Sequence, residues 1–65
     1  MNAADLYDQN PLAALHGDLE IACGRTLSVA QVNNLWQRWS KTKRLPAWLA
    51  RLPRLATQVT ERLGA

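Results

Sequence analysis

The sequence predicts a compact all-α bundle of three to four short helices. Apolar residues recur at helical spacing through most of the chain, and no segment alternates apolar and polar residues with period two. Asn-Pro, Gly, Ser and two Arg-Leu-Pro triplets punctuate the periodic runs where helices should begin or end. The 65 residues form a single domain, 1–65, because so short a chain has room for one core.

Asn10-Pro11 is the first strong boundary, since Asn caps a helix whose first residue is a proline with no N–H to satisfy. Residues 1–10 ahead of it form a short N-terminal arm, in which 3–9 make at most a turn or short helix. From Pro11 onward Leu12, Leu15, Leu19, Ala22 and Cys23 share one side at 100° per residue, with His16 on the edge. Gly24 suits a left-handed end to this helix, and Gly17 within it costs roughly 1 kcal/mol relative to alanine.

Ser28 with Gln31 three residues on has the pattern of a capping box, and Leu27 precedes it as a candidate staple. The helix that follows carries Val29, Val32, Leu35, Trp36 and Trp39 on one stripe and Asn33, Asn34, Gln37, Arg38 and Lys41 on the other side. It should fray near Thr42 to Arg44, where cations complement its negative end. Pro46 and Pro53 each start a further segment. Leu45, Trp48, Leu49, Leu52, Leu55, Ala56, Val59 and Leu63 stay on one stripe if helical phase is carried through Pro53, so the two segments should be nearly collinear or kinked.

Charge is divided unevenly. Up to Gly24 the chain holds four carboxylates, Asp5, Asp8, Asp18 and Glu20, and no Lys or Arg. From Arg25 onward it holds all eight Lys and Arg against Glu61 alone, so the halves are −4 and +7. Such a split fits an acidic arm lying on a basic body, a head-to-tail dimer, or a basic surface kept for an anionic partner. Small size without staples also favours self-association as a homodimer, and Ile21, off the Leu12/Leu19 stripe, gives the first helix a second apolar side in need of cover.

Little in the sequence points to catalysis. The glycines are isolated and form no phosphate loop, and the carboxylates are scattered rather than paired for acid–base work. His16, Glu20 and Cys23 fall at i, i+4 and i+7 on one helix edge, but the ends lie about 10.5 Å apart along the axis, too far to share one ion. Cys23 is the one cysteine, so it is expected to be a structural thiol without a disulfide. The chain is therefore expected to be a non-enzyme without metal or cofactor. It has no apolar run long enough to span a membrane and no secretory pattern at its start, which leads to the expectation of a cytoplasmic protein with a membrane an unlikely partner.

Two binding functions fit the side chains that remain. Asn33, Asn34, Gln37, Arg38 and Lys41 are of the types that read base edges in a major groove, with Lys43 and Arg44 placed to hold phosphates. In residues 11–42 the order helix, short connection, Ser-capped helix resembles a helix-turn-helix unit. The pattern departs where such units place a small residue four positions before the turn glycine and an apolar one just after it, here Glu20 and Arg25. Trp36, Trp39 and Trp48 are three of only four aromatic residues, and exposed Trp with Arg is typical of protein interfaces. The leading expectation is a small adaptor or inhibitor that binds another protein through Trp48, Arg51, Arg54 and Ile21; the alternative is a small DNA-binding transcriptional regulator.

Overall fold

The computed structural model describes residues 2–64, and all of their regular structure is helical. In chain order the elements are α1 (Ala3–Gln9), a 3₁₀ turn (Pro11–Leu15), α2 (His16–Cys23), α3 (Val29–Thr42), α4 (Ala47–Ala50) and α5 (Pro53–Gly64). The all-α bundle expected from the periodicity is what the chain forms. Its interior is lined by Leu12, Leu15, Leu19, Leu27, Val32, Leu49 and Val59, all buried.

The N-terminal segment is more than a loose arm. Asn2 caps α1 by accepting from the Asp5 N–H, and the helix packs along α3 with Tyr7 half-buried against the core. Asn10 then performs three tasks at the corner. Its backbone N–H closes α1 on the Tyr7 carbonyl at 3.0 Å, and its side-chain Oδ1 accepts the Leu12 N–H at 2.8 Å. Its Nδ2 donates to Asn33 Oδ1 on α3 at 3.0 Å. Asn33 in turn donates its own Nδ2 to the Ala3 carbonyl at 2.9 Å. Both side chains are buried, and no buried side-chain polar atom among the described residues lacks a partner.

The helix expected from Pro11 starts instead as a 3₁₀ turn and becomes α-helical only at His16. Three residues per turn advance each side chain by about 120° instead of 100°, so the phase slips by about 80° between Pro11 and Leu15. Leu12 and Leu15 stack at i and i+3 in the core. Leu19 and Cys23 remain on the inner side of α2, while Ala22, assigned to the same stripe by uninterrupted periodicity, turns out to solvent. Gly24 ends α2 at φ 78°, the left-handed cap its position implied.

Ser28 and Gln31 form the full reciprocal capping box of α3. The helix ends at Thr42, with Lys43 in the left-handed region at φ 57° and its ammonium 4.1 Å from the centre of the Trp39 ring. A non-glycine left-handed residue costs about 1 kcal/mol, and the cation–π contact offsets a similar amount. The last third breaks at both prolines. Pro46 caps α4, Leu52 bonds back only to Leu49, and Pro53 opens α5. The stripe from Leu45 to Leu63 is buried or half-buried throughout, so helical phase does carry across the Pro53 break. α5 packs on the 3₁₀ turn, and α4 bridges α5 and α2.

The two interior glycines should respond in opposite directions to alanine. A Cβ at Gly17 meets nothing within 4 Å and the backbone is ordinary helix, so Gly17→Ala should stabilise by about 0.5 kcal/mol. Gly24→Ala keeps the same open space but forces alanine to positive φ, and should cost about 1 kcal/mol or more. Urea unfolding of both variants checks the pair of signs.

Candidate binding cleft

The residues that sequence spacing grouped as one polar face of α3 are divided among four environments. Asn33 is inside, committed to Asn10 and Ala3, which removes it from any surface and corrects its place among the base-reading residues. Gln37 and Lys41 border a shallow depression beside α1, with Leu6 and Trp36 as its apolar part. Lys43 lies over Trp39. Asn34, Arg38 and Arg44 remain together, and they line a cleft of about 600 Å³.

This cleft is built from three parts of the chain that sequence order keeps apart. The α2–α3 connection contributes Arg25, the outer side of α3 contributes Asn34, Leu35 and Arg38, and residues 44–48 close it with Arg44, Leu45, Pro46 and Trp48. Thr42 fixes the turn at one end. Its hydroxyl donates to the Arg38 carbonyl at 2.9 Å and accepts from the Arg44 N–H at 3.2 Å, which holds the backbone of Arg44 close to that of Arg38. Leu35, Leu45 and Trp48, each half-buried, are the apolar part of its lining. Three arginines share that lining, and among the described residues no carboxylate lines the cleft and no arginine forms an ion pair.

The connection that carries Arg25 is fastened by His16 and Glu20 of the α2 edge. Glu20 Oε2 accepts the Leu27 N–H at 2.8 Å, and His16 Nε2 lies 2.7 Å from the Leu27 carbonyl. A carbonyl only accepts, so Nε2 carries a proton there, while Nδ1 lies 2.7 Å from the Tyr7 hydroxyl, which also reaches the Ala13 carbonyl at 3.5 Å. His16 and Glu20 thus hold both polar groups of one backbone residue, and their contact with each other is longer, 3.7 Å. Cys23 is half-buried against the core, and no group of three potential ligands among the described residues is placed to share an ion.

The four residues expected to bind a protein partner do not converge. Trp48 is in the cleft, whereas Arg54 borders an apolar groove formed with Ala22, Leu52, Pro53 and Leu55. Ile21 is 82% exposed, and Arg51 is exposed at the end of α4. The two helices of the anticipated helix-turn-helix have other main neighbours: α3 packs on α1 and the 3₁₀ turn, and α2 on the 3₁₀ turn and α4. No helix among the described residues is long and apolar enough to cross a membrane. Comparison with known protein families, with characterised proteins and with solved structures finds no match.

The role assigned to Glu20 is open to a direct check. Glu20→Ala leaves the Leu27 N–H without its acceptor and should cost about 1 to 2 kcal/mol. Glu20→Gln keeps an acceptor oxygen at the same reach and should recover most of that loss. Thermal unfolding of the two variants reads the difference.

Proposed function

We propose that this protein is a non-enzymatic binding module, an adaptor or inhibitor, that docks an acidic segment of another protein in the cleft between α3 and residues 44–48. One observation carries the reading: Arg25, Arg38 and Arg44 line the same cleft as Leu35, Leu45 and Trp48, with no carboxylate among the described residues to neutralise them. Guanidinium groups bind carboxylates in a planar, two-pronged geometry. An adjoining apolar side chain of the same segment would cover Leu35, Leu45 and the exposed part of Trp48. Trp and Arg are also the side chains whose truncation most often weakens an interface.

A DNA-binding regulator is the second reading. Asn34 beside Arg38 favours it, since an amide and a guanidinium at i and i+4 are suited to base edges, with Arg25 and Arg44 as phosphate contacts. The concavity argues for the protein. A major groove is entered by a protruding helix face, whereas Asn34 and Arg38 stand at the wall of a hollow and Asn33 is withdrawn from the face altogether.

Fluorescence anisotropy with two labelled probes separates the readings: a Glu/Asp-rich peptide bearing one leucine, and a mixed-sequence DNA duplex. The expected result is peptide binding that weakens by about tenfold or more, roughly 1.4 kcal/mol, in both Arg38→Ala and Trp48→Ala, each with helicity retained. Tight duplex binding that depends steeply on salt, is lost in Arg38→Ala and is unchanged in folded Trp48→Ala would assign the surface to DNA instead.

A further inference from the structure

A second surface, which shares no lining residue with the cleft, lies between α2 and α5. The two helices run antiparallel there: Asp18 of α2 neighbours Gln58, Glu61 and Arg62 of α5, while Ala22 neighbours Leu52 and Leu55. The solvent side of α2 is unusual for a surface helix. Its exposed residues are Gly17, Asp18, Ile21 and Ala22, so a single charge accompanies small and apolar groups. Ile21 is the one large apolar side chain left standing in solvent among the described residues, at 82% exposure. The residue beside it, Ala22, forms the wall of an apolar groove of about 520 Å³ with Leu52, Pro53 and Leu55. A projecting side chain and a shallow apolar depression are thus neighbours on the surface.

We propose that this face is the contact between two copies of the chain, related by a two-fold axis, with Ile21 of each copy seated in the Ala22–Leu52–Leu55 groove of the other. Adjacency of projection and groove is what a self-complementary two-fold contact requires, because one operation satisfies both pairs at once. Charge along the face agrees with that symmetry. One end carries Asp18 and Glu61 with Arg62, a net charge of −1, and the other carries Arg54, with Arg51 just before the groove residue Leu52. A two-fold axis across the middle lays the acidic end of each copy on the basic end of the other, and no ion pair among the described residues competes for Asp18 or Arg54. Small side chains at Gly17 and Ala22 let the paired α2 helices approach closely. The contact is independent of what the cleft binds.

Sedimentation velocity across the micromolar range tests the proposal. The unmodified chain should form a dimer, and Ile21→Asp should be monomeric with unchanged helicity, since the exposed Ile21 makes no contribution to the interior. Asp18→Arg and Arg54→Asp should each weaken dimerisation by about tenfold or more, and the double variant, in which the charges are exchanged, should regain most of it. A monomer at every concentration overturns the proposal. So does a dimer that survives Ile21→Asp, or a charge-exchanged double variant no tighter than the weaker single one.

Discussion

The buried pair Asn10 and Asn33 is the constraint on which the rest of the arrangement depends. Two amides removed from water would be costly if either were left unpaired. Here each is satisfied by a specific neighbour: Asn10 by the Leu12 N–H and by Asn33, Asn33 by Asn10 and by the Ala3 carbonyl. The result is directional in a way that leucine packing is not. Hydrogen bonds between fixed atoms set the rotation of α3 about its axis, hold α1 against it, and start the 3₁₀ turn that shifts the phase of α2. With Asn33 pulled inward, Asn34 and Arg38 are left on the side where Arg25, Arg44 and Trp48 complete the cleft.

The separation of charge acquires a physical meaning from this geometry. Of the three arrangements that fit a −4/+7 split, an acidic arm does lie against a basic helix, since α1 packs along α3, but no carboxylate forms an ion pair with a Lys or Arg among the described residues. Glu20 is occupied with a backbone N–H, while Asp5, Asp8 and Asp18 remain exposed. The arginines of the cleft likewise form no ion pair among the described residues. A 65-residue chain gains little from unpaired surface charge in stability, and like charges held close together oppose folding. On the proposed reading, a partner of opposite sign offsets that repulsion around the cleft.

Much of the fold was legible in the sequence because its signals are local. The Asn10 cap, the left-handed Gly24, the Ser28/Gln31 box and the helix starts at Pro46 and Pro53 each depend on a few neighbouring residues, and each occurs where the chemistry places it. Ala22 was misread because it sits at the rim of the stripe, about 60° from Leu19 on the side away from Cys23, and periodicity alone does not say where along a helix edge the core stops. Asn33 was misread for a different reason. An asparagine on the polar side of an amphipathic helix looks solvated unless its distant partner is known, and Asn10 is 23 positions away. The cleft was visible only in fragments: Arg38 and Asn34 as one class of surface, Trp48 as another, and Arg25 as no more than a departure from a turn pattern. No periodic signal joins residues from three separate segments.

A double-mutant cycle on Asn10→Ala and Asn33→Ala, read by urea unfolding, tests this account most directly. If the pair fixes α3 against the corner of the chain, either single substitution should cost about 1 to 3 kcal/mol by stranding its partner's buried amide. The double variant should then lose markedly less than the sum, with a coupling of about 1 kcal/mol or more. Losses that add to within about 0.5 kcal/mol would mean that the two amides act independently, and the orientation of α3 would have to be explained by apolar packing alone.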